Sequence, residues 1–264
     1  DKNFEIMSVR ISNIKRNPLR FTPLAAIPIY ARSAENLRDH RHVTSLLNRI
    51  RVTPLGVVVR PAIKFDERRH RINHTTYFVF GFDGKDASPK EIFPTVENFI
   101  GEGGSFQRPA AVFEGSRPSK TNINGKEAMA AFKFSSITLK KNEDAQYILL
   151  MGIAPDPEDA ERIQKNYCTT GCIEDLFKKT IHHWQEKSNT ISISSGDRNF
   201  DNWFRWVSIQ PTLRKLYGCS FLPDFDYGKG GRGWRDLWQD ALSLILTNGE
   251  GIREMLIQNF AGVR

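Results

Sequence analysis

Up to about residue 155 the apolar positions fall in short runs rich in β-branched and aromatic side chains. Val57-Val58-Val59, Tyr77-Phe78-Val79-Phe80, Ala128 to Phe134 and Tyr147-Ile148-Leu149-Leu150 are such runs. Turn clusters, among them Phe82-Asp83-Gly84-Lys85 and Asn122-Ile123-Asn124-Gly125, separate them. This spacing predicts an antiparallel β-sandwich, and helical periodicity is nearly absent before residue 155.

The texture then changes. Asp156-Pro157-Glu158-Asp159 reads as a helix start, with a capping Asp, Pro in the first turn and acidic side chains facing the positive end of the helix. A helix is expected to about Tyr167, a break at Gly171, and a second helix through about Lys187. Ser188 to Gly196 is polar enough to serve as a linker. From Asp197 a third segment carries Phe200, Trp203, Phe204, Trp206 and Val207, and Pro211 should bend or split it before Leu213, Leu216 and Tyr217. Beyond a loop holding Gly228, Gly230, Gly231 and Gly233, a helix should begin at Trp234 or Arg235, and a last one should span about Gly251 to Phe260. All five tryptophans (Trp184, Trp203, Trp206, Trp234, Trp238) lie in this helical part. The pattern divides the chain into a sandwich at 1–155, a helical linker at 156–196 and a second helical region at 197–264. Several of these helices are bulky on more than one face, which leads us to expect a longer protein around them.

Composition narrows the class. In 264 residues, 19 Gly, 13 Pro and 3 Cys exclude collagen-like and disulfide-scaffold chains. No apolar run approaches the roughly 20 residues that a membrane-spanning helix needs, so no membrane is expected as a partner. An odd number of cysteines (Cys168, Cys172, Cys219) fits a reducing compartment, and the expected location is cytoplasmic. The net charge of +8 is uneven: residues 1–150 carry 24 basic and 15 acidic residues, whereas 151–264 carry 14 and 15. The basic residues are scattered (Arg10, Lys15, Arg16, Arg20, Arg32, Arg38, Arg41), which suits solvated strand faces better than a nucleic-acid patch. No nucleic-acid partner is therefore expected.

The richest segment for chemistry is Tyr227 to Asp240, which starts as a glycine-rich loop and ends as the first turns of a helix. Arg235 and Gln239 are four apart, as are Asp236 and Asp240, so each pair shares a face. Carboxylates beside Arg and Gln, with Trp234 and Trp238 interleaved, suit a sugar, because hydroxyls want paired donors and acceptors and the C–H face of the ring stacks on an aromatic. An ordinary amphipathic helix with surface ion pairs is the plainer alternative. The segment lacks the Gly-Lys-Ser/Thr ending of a phosphate loop.

The Trp-Arg-Asp-x-x-Gln-Asp run, preceded by Asn199-Phe200-Asp201-Asn202-Trp203 and Gln210, resembles the start of the helical barrel of the inverting disaccharide and β-glucan phosphorylases of glycoside hydrolase family 94. His42 to Leu47, Phe65-Asp66-Glu67-Arg68 and Phe99 to Ser105 resemble that family's N-terminal β-sandwich, and 156–195 resembles its helical linker. The resemblance implies a multidomain β plus α protein: an antiparallel β-super-sandwich, a helical linker and the first helices of an (α/α)6 barrel. It also implies inverting, reversible phosphorolysis of a β-linked disaccharide or glucan to a sugar 1-phosphate. Inorganic phosphate would be co-substrate, no cofactor or metal is implied, and a homodimer is expected. Arg235, Asp240 and Asp236 would bind the sugar on the non-reducing side of the cleaved bond, with Gln239 supporting them and Trp234 beside them, while Arg232 would face phosphate or solvent. The family's general acid is an Asp well beyond this motif, so it is expected past Arg264 and this chain alone would be inactive. A non-catalytic carbohydrate-binding module and an inverting glycoside hydrolase of the same fold remain alternatives.

Weaker features have plain readings. Cys168 and Cys172, near His182 and His183, have zinc-compatible chemistry without a common zinc spacing, and on one helix they would share a face as buried thiols. Cys219 lacks a base partner. Gly101 to Ser105 reads as a turn, or as a sandwich loop reaching an active site. His40, Arg41 and His42 read as solvated, and the Trp203/Trp206 pair as core packing.

Overall fold

A computed structural model describes residues 3–31, 41–64, 71–119, 121–217, 234–247 and 249–260; at 41, 42, 64, 71, 214–217, 234–237, 240 and 259 only the backbone is described. The chain falls into two compact units, Asp1–Asp175 and Leu176–Arg264.

In chain order the first unit holds β1 (Phe4–Ser12), β2 (Leu19–Phe21), β3 (Leu24–Ile29), α1 (Arg41–Ser45), β4 (Asn48–Thr53), β5 (Gly56–Pro61), β6 (Ile63–Lys64), β7 (Arg71–Ile72) and β8 (Thr76–Asp83). There follow β9 (Glu91–Thr95), α2 (Val96–Ile100), α3 (Ala110–Phe113), β10 (Ala128–Lys133), β11 (Ile137–Leu139), β12 (Asp144–Ala154) and α4 (Pro157–Tyr167). Helix α5 (Thr170–Ser188) contains the boundary between units, and α6 (Arg198–Tyr217), α7 (Trp234–Thr247) and α8 (Ile252–Phe260) complete the second.

The sandwich expectation holds. Five antiparallel strands in the order β1-β12-β8-β5-β4 face three in the order β3-β10-β9. Ribbons β2–β11 and β6–β7 flank them. The runs read as continuous rather than alternating because both faces of the larger sheet are covered. On β8, Val79 and Tyr77 join the core between the sheets, with Val57, Val59, Leu149, Ala130 and Phe132. Its Phe78, Phe80 and Phe82 point the other way, with Val58, Ile148 and Leu150, and lie under Ala160 of α4 and Ile173 of α5. The smaller sheet is covered likewise: Phe93, Met129 and Ala131 pack against Phe99 of α2 and Ala111 of α3. Gly81 lies where the two sheets approach closely, since a Cβ there would lie 2.8 Å from Cδ2 of Phe132.

Helix α4 starts as its sequence requires. The Asp156 carboxylate accepts the Asp159 N–H at 2.7 Å, and Pro157 sits in the first turn. Side chains of β4 tie it down: Arg51 pairs with Glu161 at 3.0 Å and donates to the Pro157 carbonyl at 3.4 Å, and the Thr53 hydroxyl donates to Gln164 Oε1 at 2.8 Å.

Four local expectations are corrected. Gly171 does not break the chain: α5 begins at Thr170 and carries Gly171 in its first turn. The start is fixed from outside, since the Asp86 carboxylate in the β8–β9 turn accepts the Thr170 N–H at 2.6 Å and its hydroxyl at 2.7 Å. Pro211 does not split α6, which runs unbroken across it; a proline removes one backbone donor, and the turns on either side carry the helix on. Cys168 and Cys172 do not share a helix, because Cys168 caps the end of α4 while Cys172 opens α5. Short helices α1, α2 and α3 do occur before residue 155, each too brief for a 3.6-residue period to register.

In the second unit, Ala241 and Leu244 of α7 are buried with Ile252 of α8, and the Trp238 and Phe260 rings meet at 5.4 Å. Asp197 starts α6 by accepting the Asn199 N–H at 2.8 Å. The second turn of α6 does not form a core: Trp203 is 55% and Trp206 60% exposed, which corrects the packing expectation for that pair. Ile181 and Trp184 of α5 and Trp206 and Ile209 of α6 line an open apolar groove of about 570 Å³. Among the described residues no helix is long and apolar enough to cross a membrane.

Candidate functional site

The segment singled out for sugar chemistry is helical from its first tryptophan. Helix α7 begins at Trp234, so Trp234, Arg235 and Asp236 occupy its first turn, where backbone N–H groups lack intrahelical acceptors. Burial of Ala241 and Leu244 against α8 fixes which side of α7 faces its neighbour. At about 100° per residue, positions 235 and 239 fall on the side away from that contact, whereas 240 stands one turn before Leu244, on the same face as it; Gln239 is exposed. The structure thus brings Arg235, Asp236, Gln239 and Asp240 onto consecutive turns of one helix. Arg232 and the glycine-rich loop lie outside the described residues, as do Cys219 and His40.

The Gly101 to Ser105 loop has a backbone reason for its glycines. Gly101 (φ 85°) ends α2 and Gly103 has φ 66°, while a Cβ on Gly104 would lie 2.0 Å from the Ile100 carbonyl oxygen. Ser105 then bridges to Arg108, whose guanidinium stands 5.5 Å from the Phe113 ring centre. This geometry accounts for the loop as a turn.

The cysteine and histidine group is dispersed. His182 lies 3.3 Å from Glu186 on the same helix, and the His183 ring meets Trp184 at 5.3 Å. Burial, with Cys172 adding to it, pushes the Cys168 thiol up to about 12, so it stays protonated and unreactive near neutral pH. Among the described residues, no three or more His, Cys, Asp or Glu side chains are grouped to hold a metal ion.

One positioning contact gives no sequence signal of its own. Asp86 anchors the start of α5 across 84 residues, and it stands one residue past the turn cluster Phe82-Asp83-Gly84-Lys85.

The fold of the first unit agrees with what the chain is similar to. A family model described as glycosyl hydrolase 94, supersandwich domain, matches residues 1–170. The chain belongs to the glycosyl hydrolase 94 supersandwich family. The matched span runs from β1 through α4 to the first residue of α5, so it takes in both sheets and the helix laid on the larger one. An N,N'-diacetylchitobiose phosphorylase of Vibrio proteolyticus is 25% identical over 128 residues, which is 47% of this chain and 16% of that enzyme. This supersandwich chain therefore aligns with about a sixth of the relative's length. The α7 residues of the sugar motif lie beyond the family match.

Proposed function

We propose that this chain is the supersandwich, linker and first barrel helices of a carbohydrate phosphorylase. The parent protein would catalyse inverting, reversible phosphorolysis of a β-linked disaccharide or glucan to a sugar 1-phosphate. The observation that carries this reading is the order of parts: a family 94 supersandwich over 1–170, followed in the same chain by a helix that opens Trp234-Arg235-Asp236 and continues to Gln239-Asp240. In it, 1–155 is the sandwich, 156–196 the linker and 197–264 the start of an (α/α)6 barrel.

The roles follow from chemistry. The Asp236 and Asp240 carboxylates each accept two hydroxyl hydrogen bonds, and the Arg235 guanidinium donates a fork of them. Gln239 supports this set from the adjoining turn, Trp234 offers a ring face to the sugar, and Arg232 faces phosphate or solvent. The site binds the sugar on the non-reducing side of the bond to be cleaved. A general acid, an Asp supplied beyond Arg264, protonates the glycosidic oxygen as the C–O bond breaks, while a phosphate oxygen attacks the anomeric carbon from the opposite face and inverts it. Phosphate is the co-substrate, in the place where an inverting hydrolase activates water, and no cofactor enters.

The test is made on the whole product of the gene that encodes this chain. Arg235→Met and Asp240→Asn each remove a charged hydrogen-bonding partner of the transition state, and each should lower kcat/KM for phosphorolysis by about a hundred-fold. The exposed Arg253→Ala serves as control. Unchanged kcat/KM in both α7 variants contradicts the assignment.

A further inference from the structure

We propose that the open end of the sandwich beside Tyr147 is a binding site for a neutral oligosaccharide. A groove of about 860 Å³ lies there, between the β8–β9 turn at Asp83–Lys85, the start of β12, and the segment that leads from Ser135 into β11. That is a volume in which small-molecule ligands are held. This site rests on the sandwich alone and is independent of the reading of α7.

Three observations carry it. Tyr147 lines the groove but is only 8% exposed, with its ring packed on Phe134 at 4.9 Å between ring centres. Its hydroxyl reaches the open space of the groove and has no hydrogen-bond partner among the described residues, so a rigidly held ring presents a donor and acceptor to a ligand. Opposite it in the strand register is Asp83, whose Oδ1 accepts the Lys85 and Ala87 N–H groups at 2.8 and 3.0 Å, so the turn itself orients that carboxylate.

The groove's chemistry selects the ligand class. Its lining is slightly acidic, Arg10 and Lys85 against Asp83, Glu143 and Asp144, and Arg10 already pairs with Asp144 at 3.3 Å. A phosphate or a nucleic-acid backbone would need a positive surplus, which is missing. Ser135, Thr138, Gln146 and the Tyr147 hydroxyl supply neutral donors and acceptors between those charges. That mixture matches a chain of sugar hydroxyls. Burial, with the Asp83 charge adding to it, raises the Tyr147 pKa, so the hydroxyl remains a donor.

The experiment is a nitrogen-15 NMR titration of the full chain with cellotriose. Amide shifts are expected at 83–85, 135–138 and 145–147. Tyr147→Phe keeps the ring and its packing and removes only the unpartnered hydroxyl. It should therefore melt no lower than the parent and bind about five-fold more weakly, the loss of one hydrogen bond. Ser135→Trp, at an exposed wall position, should fill the groove and abolish the shifts. The proposal is overturned if these segments do not respond to cellotriose, if both variants bind like the parent, or if inorganic phosphate alone produces the same shifts. Because the readout is binding at the sandwich, failure here leaves phosphorolysis untouched, and failure of phosphorolysis leaves this result standing.

Discussion

Gly81→Ala tests how the two sheets meet. The added methyl would sit 2.8 and 3.0 Å from Cδ2 and Cε2 of Phe132 and 3.2 Å from Cδ2 of Leu149. Phe132 is fully buried on the facing sheet and has no solvent to move into. Overpacking of this size costs about 1–3 kcal/mol, and the less flexible unfolded chain returns about 0.4–1 kcal/mol, which leaves a net loss of about 1–2 kcal/mol. Phe132→Leu alone should also destabilise, by about 1–2 kcal/mol, because it leaves a void. In the double variant the alanine methyl occupies space that the shorter leucine vacates, so the two changes should couple favourably by about 1 kcal/mol. Urea denaturation followed by the methyl NMR signals of Val57, Val79 and Leu149 reads the sandwich; all tryptophans lie at 184 or later, so their fluorescence reports elsewhere. Additive effects within about 0.3–0.5 kcal/mol, or a stabilising Gly81→Ala, would refute the contact and with it the facing of β8 and β10.

Asp86→Ala removes the acceptor of two hydrogen bonds at the start of α5. It should cost about 0.5–2 kcal/mol and speed amide exchange at 170–175 while leaving the strands protected, and uniform exchange would contradict the anchor. Iodoacetamide at pH 8 should label the partly exposed Cys172 and spare Cys168 until the chain unfolds; equal labelling sinks the buried-thiol description. The Cys168 thiol titrates at about 12 when folded and nearer about 8.5 when unfolded, so above about pH 8.5 the unfolded chain binds fewer protons. Its contribution to stability is therefore complete at neutral pH and falls as pH rises through that window, a fall that Cys168→Ala should flatten.

Much of the sandwich was legible because buried strands have to be made of residues such as Val57-Val58-Val59 and Phe78-Val79-Phe80, whichever partner covers them. The start of α4 was legible because Asp156 and Pro157 act locally. Pairing was not: β1 zips along β12, with Phe4 opposite Gly152, and nothing near either strand announces a partner so distant. The Gly171 error has the same origin, since the group that starts α5 is Asp86 and a local reading sees only a glycine. Trp203 and Trp206 looked like core because bulky aromatics usually are, yet spacing alone does not say whether a neighbour covers them. At the sugar motif, the types and spacing of Arg235, Asp236, Gln239 and Asp240 were visible, and the helix that carries them was expected from the same residues. The groove beside Tyr147 was not visible, because it forms where the β8–β9 turn meets a segment more than fifty residues later in the chain.

Phosphorus-31 NMR of the whole gene product, incubated with a β-linked disaccharide such as cellobiose or N,N'-diacetylchitobiose and inorganic phosphate, decides whether the protein is a phosphorylase. A sugar 1-phosphate resonance of α configuration should grow as inorganic phosphate falls, with no free sugar released when phosphate is omitted. Release of two free sugars at the same rate with and without phosphate would contradict the phosphorylase reading and make the protein a hydrolase.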